Sequence, residues 1–364
     1  MTRFLQDILR QPDELLRVIE HLGGAGRKLL ESAAGAIRGA RHVYVTGIGA
    51  SWNAALSAGS IFHAGAWPVY MLNASELLLF SEIPPSSVIL ILSRSGRSIE
   101  VVKLLDKARQ AGATVIGVTN FEDGPLAQNA DIPVVIPVKA DHGISVNTYS
   151  ALAVAAAAIA TATVSSFDED LAALLSNSVA ETAKSIPKWQ WQLEKTSWLL
   201  PGAAYYFLAR GSSLASAYEA ALLWEEGAKL PATAMGTGSF RHGPQEVMMK
   251  NVRIAIWIDR EQMREQDLAV AHDLRALGAS VMLTGHDLPN DAGDLVFQLP
   301  RSPLHWQFLI DIIPAQLAAE RLAELAGVDC DSFRFASYIV EDDYGLLANG
   351  PTSSTERGSN GSGT

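Results

Sequence analysis

The feature that most constrains the fold is an alternation of short apolar runs with helical segments that occurs twice along the chain. The first series of apolar runs comprises His42–Thr46, Val69–Leu72, Val88–Leu92, Thr114–Thr119 and Val134–Pro137. The second series comprises Tyr205–Ala209, Ile254–Ile258, Val281–Thr284 and Leu295–Leu299. Short apolar runs separated by helices are typical of parallel sheets covered by helices on both faces. The pattern therefore predicts two related α/β units.

The length of 364 residues is sufficient for two domains. We expect five segments: a helical N-terminal arm (1–38), a first α/β unit (39–165), a linker helix (166–197), a second α/β unit (198–345) and a disordered tail (346–364). In the arm, Pro12 and Asp13 are expected to start a second helix. The tail is expected to be disordered because it is rich in Gly, Ser and Thr.

Composition excludes several classes of protein. The net charge of −11 argues against a protein that binds nucleic acid through its phosphates. The single cysteine, Cys330, forbids an intrachain disulfide and fits a reducing compartment. The N-terminus is too polar for a signal peptide, and the run Ala151–Val164 is shorter than the roughly 20 residues that a bilayer demands. We expect a cytoplasmic protein without a membrane span.

Two loops that follow strands of the first unit predict a phosphate site. The loop from Gly47 to Ser51 follows the first apolar run, and the loop from Ser93 to Ser98 leaves a strand and enters a helix. In open parallel sheets, ligands bind beyond the carboxyl ends of the strands. Backbone N–H groups and hydroxyls at a helix N-terminus attract anions. A plainer interpretation is that Ser98 only caps the helix, but a cap does not explain three serines with a glycine.

Neither loop predicts a nucleotide cofactor. No Gly-Lys-Ser/Thr sequence follows, so the loops are not a Walker A motif. Gly47 and Gly49 begin like a dinucleotide fingerprint, but Trp52 stands where its third glycine or alanine is expected. We expect no cofactor, and no metal either, because Asp141-His142 and His286-Asp287 lack further ligands and are typical of solvated turns.

The second unit supplies candidate acid and base groups. His242 lies in an irregular loop between two glycines upstream and Gly243-Pro244, where function is more common than packing. Glu226 precedes it near the C-terminal end of a helix, where the helix dipole is expected to raise the pKa of the carboxyl. A carboxyl tuned toward neutrality beside an imidazole suits proton transfer on a carbon acid.

Four motifs resemble, in this order, those of the tandem sugar isomerase (SIS) domain family. They are similar to the isomerase half of glucosamine-6-phosphate synthase and to its deaminase and deglycase relatives. The segment Gly49–Leu56 resembles Gly-Thr-Ser-Tyr-Asn/His-Ala-Ala, and Ser93–Ser98 resembles the phosphate loop Ser-Gln-Ser-Gly-Glu-Thr. Ala217–Glu226 resembles Ala-Leu-Glu-Gly-Ala-Leu-Lys-Leu-Lys-Glu, and Phe240–Pro244 resembles Leu-Lys-His-Gly-Pro.

The resemblance implies two flavodoxin-like, doubly wound parallel sheets in tandem and a homodimer that binds a sugar phosphate. Glu226 would move a proton between C1 and C2 of the sugar, and His242, which in this family can come from the neighbouring subunit, would assist ring opening. The implied substrate contacts are Gly49, Ala50, Ser51, Ser93, Arg94, Ser95, Ser98 and Ser145. Ser145 belongs to a segment, Gly143–Thr148, that resembles Gly-Val-Ala-Ser-Thr-Lys, with Thr148 in place of the lysine.

Departures from the family pattern narrow the expected activity. The sequence has no glutaminase domain, and Thr2 stands where the synthase has its N-terminal cysteine, so this chain is not expected to release ammonia from glutamine. Leu223 stands where the synthase helix has a lysine, and the segment Phe335–Ile339, which resembles Leu-Ala-Lys-Ser-Val, has no lysine either. A Schiff base requires an amine, which Tyr338 does not supply. The remaining groups suffice for enolisation and for expelling an amine already attached to the sugar.

Three functions fit the motifs. The first is an isomerase or deaminase of an amino-sugar phosphate, similar to the glucosamine-6-phosphate deaminases. The second is a deglycase that releases an amino acid or amine from a fructosamine phosphate, since Arg94, Arg97 and Arg241 could also bind a carboxylate. The third is a regulator that binds a sugar phosphate without turnover, which the presence of both Glu226 and His242 disfavours.

Overall fold

The computed structural model describes residues 1–335 and 339–342 and contains two five-stranded parallel sheets. The expected tail over 346–364 and Tyr338 lie outside the described residues. The segment limits expected from the sequence stay predictions, whereas the two sheets confirm the predicted pair of α/β units.

The N-terminal half begins with two helices and continues as the first sheet with its covering helices. Its strands are β1 (His42–Thr46), β2 (Tyr70–Met71), β3 (Ser87–Leu92), β4 (Thr114–Thr119) and β5 (Ile132–Val135). Its helices are α1 (Arg3–Gly23), α2 (Arg27–Gly39), α3 (Ala50–Ala64), α4 (Ala74–Phe80), α5 (Ile99–Ala111), α6 (Pro125–Asn129) and α7 (Asn147–Val164).

A long helix, α8 (Glu169–Lys195), leads into the second sheet. The strands of that sheet are β6 (Ala204–Ala209), β7 (Ala232–Gly236), β8 (Val252–Trp257), β9 (Ser280–Gly285) and β10 (Leu295–Gln298). Its helices are α9 (Leu214–Leu223), α10 (Thr237–Phe240), α11 (Arg264–Ala276), α12 (Phe308–Asp311) and α13 (Ile313–Ala326). Short 3₁₀ turns cover Gly211–Ser213 and Pro244–Val247, and a π-helical turn, Trp224–Ala228, extends α9.

Both sheets have the same strand order. The first runs β2-β1-β3-β4-β5, and the second, read from its opposite edge, runs β7-β6-β8-β9-β10. Every pair of neighbouring strands is parallel. This is the flavodoxin-like order, in which the chain changes direction across the sheet between the first and third strands. The predicted fold class is confirmed.

The strand β7 is absent from the sequence-based prediction. It contains Ala232, Thr233, Ala234, Met235 and Gly236, and it pairs with β6 at the edge of the second sheet. Its short side chains give neither an apolar run nor alternation, so the sequence pattern does not reveal it. Its position corresponds to that of β2, the short edge strand of the first sheet.

The Ala-rich helix α7 lies at the centre of the largest hydrophobic core. It is longer than the run that the sequence suggested, and its 18 residues are long and apolar enough to cross a membrane. However, 89% of this helix is buried inside the protein, where it packs against α1, α2 and α3. Burial within the protein therefore explains its apolar composition.

The helix α1 is continuous from Arg3 to Gly23, so the predicted helix start at Pro12 is wrong. Pro12 is buried, and α1 packs against α7, α8 and α13. This packing outweighs the loss of one backbone hydrogen bond at the proline. The N-terminal segment is thus part of the core, and it reaches loops of the first unit that are described below.

The small side chains of α7 allow close approach of α3. The Ser57 hydroxyl on α3 donates a hydrogen bond to the Ala153 carbonyl on α7, at 3.0 Å. We expect Ala153→Leu to lower the free energy of unfolding by about 1–3 kcal/mol, because the added carbons have no space in this packed core.

Ala173→Leu on the exposed face of α8 is the matched control, with an expected change within about 0.5 kcal/mol. Urea unfolding of both variants measures the difference. Equal stability of the two variants would contradict the packing described for α7.

Candidate active site

Two loops meet at the switch point of the first sheet, beyond the carboxyl ends of β1 and β3. The first loop enters α3 through Gly49, whose φ of +57° is in the left-handed region that favours glycine. Ser51 follows in the first turn of α3 and accepts a hydrogen bond from the Arg94 backbone N–H at 3.3 Å. This contact joins the two loops, so Gly49, Ala50 and Ser51 lie beside the Ser93–Ser98 loop as predicted.

The serines of the second loop have hydroxyls that can donate to an anion. Ser93 Oγ accepts from the Gly96 N–H at 3.1 Å, and Ser95 Oγ accepts from the Arg97 N–H at 3.2 Å. A hydroxyl that accepts one hydrogen bond still has its own hydrogen to donate. Both serines are buried, so these hydroxyls are held in fixed positions.

Ser98 occupies the N-cap position of α5, but its side chain makes no capping hydrogen bond. The plainer interpretation of this serine as a helix cap is therefore wrong in its side-chain detail. Next to it, the Ile99 N–H donates to the Val340 carbonyl at 3.0 Å. The C-terminal segment thus lies against the helix end that the sequence predicted to bind phosphate.

A close backbone approach fixes the shape of the serine loop. A Cβ atom at Gly124 would lie 2.2 Å from the Ser95 carbonyl oxygen, so only glycine fits there. Gly96 has a φ of +68° and packs against Leu126. The loop after β4 therefore supports the serine loop from beneath.

Arg94 connects the serine loop with the predicted sugar-contacting segment. Its Nη1 donates to the Gly143 carbonyl at 3.1 Å and to Ser145 Oγ at 3.0 Å. These bonds bring Ser145 close to the serine loop, and its contact with a substrate stays a prediction.

The segment that carries Ser145 is anchored by an acidic residue and by α1. Asp141 accepts hydrogen bonds from the N–H groups of Val146, Asn147 and Thr148, and its side chain is fully buried. Arg10 on α1 forms an ion pair with Asp141 at 3.0 Å. The expectation that Asp141 belongs to a solvated turn is wrong, because Arg10 and these amides compensate its charge inside the protein.

His142, the other residue of that expected turn, is also attached to α1. Its Nδ1 lies 2.9 Å from the Asp7 Oδ1, and its backbone N–H donates to Asp7 Oδ2 at 2.8 Å. Asp7 and Arg10 were not among the predicted site residues, because they are far from residue 141 along the chain. The available indication was the position of Asp7 between the apolar residues Phe4 and Ile8 of an amphipathic helix, where a charged side chain is unusual.

The second expected turn, His286-Asp287, is solvated only in part. Asp287 is exposed, whereas His286 is buried at the end of β9. Burial lowers the pKa of the His286 imidazole, so the neutral ring is favoured there. The expectation is therefore wrong for His286, because packing around the strand end covers its side chain.

Glu226 lies in the π-helical turn at the end of α9, near Arg94. Burial raises the pKa of its carboxyl to about 7, while the positive charges of Arg94 and Lys229 oppose the rise. The predicted direction agrees with the structure, but the main cause is burial and not the helix dipole. A carboxyl with this pKa can exchange protons near neutral pH.

A second carboxyl, Glu219, lies about two turns earlier on α9 and is also buried. Its Oε2 accepts a hydrogen bond from Asn53 Nδ2 on α3 at 2.9 Å. Burial, together with the negative charge of Glu226, raises the pKa of Glu219 to about 8, although the Asn53 bond opposes this. The sequence motif contained Glu219, but its pairing with Asn53 required the packing of α3 on α9.

His242 is not brought to Glu226 within one chain. It follows α10 in a turn, its side chain is exposed, and its backbone N–H donates to the Ser239 carbonyl at 3.1 Å. Over residues 1–335 and 339–342, no hydrogen bond or ion pair joins its imidazole to Glu226. Its predicted role stays a prediction.

A cavity beside the serine loop has room for a small anion, and Arg94, which lines it, is also the arginine whose charge acts on Glu226. The cavity has a volume of about 370 Å³, and the polar residues in its lining include Arg94, Ser95, Arg97, Asp141 and His142. Arg97 is paired with Asp123 at 2.9 Å. Among the described residues, no group of three or more His, Cys, Asp or Glu side chains could hold a metal ion. Anion binding and proton transfer are the chemistry that this arrangement supports.

Comparison with known proteins identifies the family and the fold that this chain resembles. A family model described as the SIS domain matches residues 36–164, which include both loops. The glutamine–fructose-6-phosphate aminotransferase (isomerizing) of Pyrobaculum aerophilum is 25% identical over 347 residues, covering 91% of this chain and 56% of that protein. The enzyme of the same name from Aeropyrum pernix is 27% identical, with 91% and 55% covered. The chain spans about half the length of these curated relatives.

Solved structures share the whole fold at low identity. The C-terminal domain of the Francisella tularensis glucosamine-fructose-6-phosphate aminotransferase has a TM-score of 0.80 at 20% identity, with 90% of this chain and 97% of that chain covered. The glucosamine-6-phosphate deaminase of Thermotoga maritima has a TM-score of 0.78 at 21% identity, with 93% and 99% covered. Residues 36–164 thus match the SIS domain, and a second sheet of the same strand order follows the matched residues.

Proposed function

We propose that this protein is an isomerase and deaminase of a phosphorylated amino sugar, with glucosamine 6-phosphate as the model substrate. The observation that carries the proposal is the position of Glu226: a largely buried carboxyl with a pKa of about 7 lies near Arg94 of the serine loop. The serine hydroxyls supply the anion site, and Glu226 supplies the base. A regulator without turnover has no need for such a carboxyl.

The reaction follows from these two parts. The phosphate binds to Ser51, Ser93, Ser95 and Ser98, which places the open-chain aldehyde and its neighbouring carbons toward Glu226. Ionised Glu226 takes the proton from C2, and the electron pair forms an enolamine between C1 and C2. Return of the proton to C1 gives a ketimine, and addition of water releases ammonia and a ketose phosphate.

No lysine is required in this sequence of steps. Leu223 is fully buried at the position where the resembling motif has a lysine. The substrate already carries its amine, so the protein need not form a Schiff base with the ketose. This favours release of ammonia over its incorporation.

We also propose a homodimer in which His242 of one subunit reaches the site of the other. Its exposed position in the turn after α10 leaves the imidazole accessible to a neighbouring molecule. There it would protonate the ring oxygen during ring opening. The resemblance to SIS enzymes is the basis for this part of the proposal.

Glu226→Gln is expected to lower kcat by about 10²–10⁴-fold with little change in KM, because the carboxylate acts in the transition state. Glu225→Gln is the matched control, since Glu225 is the exposed neighbour in the same turn. Turnover is measured as ammonia and ketose formed from glucosamine 6-phosphate. Full activity of Glu226→Gln would rule out this carboxyl as the base.

The pH profile should show the raised pKa of Glu226. The base must be ionised, so kcat/KM is expected to fall as the pH drops through about 7. Arg94→Gln removes a charge that lowers this pKa, and should therefore move the acid limb to higher pH. Arg97→Gln is the control, because Arg97 pairs with Asp123 at the surface. An acid limb near the ordinary glutamate value would contradict the assignment.

Ser95→Ala is expected to weaken binding of the sugar phosphate by about ten- to a hundredfold, because a hydrogen bond to a charged group contributes about 1.5–3 kcal/mol. Ser176→Ala on α8 serves as the control. Calorimetric titration with glucosamine 6-phosphate, using the inactive Glu226→Gln protein as background, measures the change. An unaltered Kd would move the phosphate away from this loop.

A panel of substrates separates the related activities. Hexosamine and fructosamine 6-phosphates are incubated with the protein, and ammonia, free amino acid and ketose are measured separately. Ammonia with ketose phosphate supports the deaminase. Release of an amino acid from fructosamine phosphates alone would replace it by the deglycase.

A further inference from the structure

A second and larger cavity lies at the switch point of the second sheet. Its volume is about 690 Å³. The loops that line it follow β6 and β8, and the C-terminal half of α3 forms another wall. Because the two sheets have the same strand order, this cavity occupies in the second unit the place that the serine loops occupy in the first.

The two places correspond in their backbone as well. Gly49 has a φ of +57° and Gly211 has a φ of +53°, and each precedes a serine by two residues near the start of a helix. The end of α9 carries Glu226 toward the first unit, and the end of α3 carries Ser60 and His63 to the second cavity. Since α3 contains no acidic residue, it supplies no carboxylate base. The cavity is therefore a counterpart of the active site that lacks this base.

The counterpart also lacks an open anion site. Asp259 Oδ2 accepts hydrogen bonds from the N–H groups of Gln262 and Met263, both at 2.7 Å, directly before α11. In the first unit, serine hydroxyls accept the hydrogen bonds of the corresponding loop N–H groups. Each hydroxyl still has its own hydrogen to donate to a ligand. A carboxylate has none and repels phosphate.

The two arginines that line the cavity are each paired with an acidic side chain. Arg210 Nε donates to the buried Asp267 at 2.8 Å, and Arg260 Nε donates to Glu261 at 2.7 Å. These pairs leave the cavity with no excess of positive charge from its arginines. An anionic ligand therefore gains little binding free energy from these arginines.

Polar groups nevertheless face the cavity. Ser212 is only 8% exposed, it lines the cavity, and its hydroxyl makes no hydrogen bond in the part of the chain that the structure describes. Because this hydroxyl opens onto the cavity, it can donate a hydrogen bond to a ligand there and accept one from it. Ser60, His63 and Gln262 add further donors and acceptors around it, and the apolar wall consists of Leu56, Met71 and Met263.

We propose that this cavity is a second, non-catalytic binding site for an unphosphorylated sugar. Hydroxyl donors beside an apolar wall suit a polyol, and the carboxylate of Asp259 excludes the phosphorylated form. Since α3 forms a wall of this cavity and also carries Ser51 at its start, a sugar here contacts the helix that leads to the active site.

The test is equilibrium dialysis of the full chain with radiolabelled D-glucose and D-glucosamine. Saturating fructose 6-phosphate, which carries a phosphate but no amine to release, blocks the first site. We expect one bound sugar per chain. Ser212→Ala should weaken this binding at least threefold, whereas Ser95→Ala should leave it unchanged. Ser60→Phe fills the cavity and should abolish it, with circular dichroism used to verify folding.

Comparison of the two labels shows whether the amine matters, and either sugar supports the site. Three results would overturn the proposal: no sugar bound under saturating sugar phosphate, binding that Ser95→Ala removes, or binding that Ser60→Phe and Ser212→Ala leave intact. Competition by inorganic phosphate would contradict the role given to Asp259. The turnover of Glu226→Gln tests the first site only, and the binding of sugar under saturating fructose 6-phosphate tests the second. A failure of the proposed function can therefore be distinguished from a failure of this proposal.

Discussion

The buried hydrogen bond from Asn53 to Glu219 joins the helices α3 and α9, each of which follows the first strand of its sheet. Because these helices pack against one another, the far end of each extends toward the switch point of the other unit. Glu226 is thereby placed near Arg94 of the first unit, and Ser60 is placed in the cavity of the second. Neither sheet could form such a site from its own helices alone.

Burial of acidic groups is the main electrostatic consequence of this packing. Glu219 and Asp311 are almost completely buried, and burial raises their pKa values to about 8 and about 7. Asp311 accepts hydrogen bonds from Ser213 and Ser216, so its carboxyl is satisfied in the interior. Glu226 belongs to the same group of tuned carboxyls, but it lies at the edge of the core where a substrate can reach it. Glu226 is therefore the partly exposed member of this group of carboxyls with raised pKa values, and it lies near Arg94 of the serine loop.

The sequence predicts the sheets well and their interactions less well. Apolar runs reveal nine of the ten strands, because the central strands of a parallel sheet are buried on both faces. The edge strand β7 was not predicted, because small residues such as Ala232 form neither an apolar run nor an alternation of apolar and polar residues. The predicted helix start at Pro12 is wrong because tertiary packing of α1 outweighs the local preference of proline.

The same limit applies to the site. The serine loop and Glu226 were predictable, since each is a local motif with its own chemistry. The anchoring of the Ser145 segment by Arg10 and Asp141 was not, because these residues meet only after α1 packs on the first unit. The assignment of Glu226 as a tuned carboxyl was right in direction, but its cause, burial among neighbouring elements, is a tertiary property that local spacing does not show.

The central claim is that Glu226 breaks the C2–H bond of a sugar anchored by its phosphate. The most direct measurement uses glucosamine 6-phosphate with deuterium at C2 and follows the label by NMR and mass spectrometry. We expect the deuterium to leave C2 for C1 or for solvent as fast as ammonia appears, and we expect no transfer of deuterium with the Glu226→Gln variant. Release of ammonia or phosphate with deuterium still on C2 would contradict it.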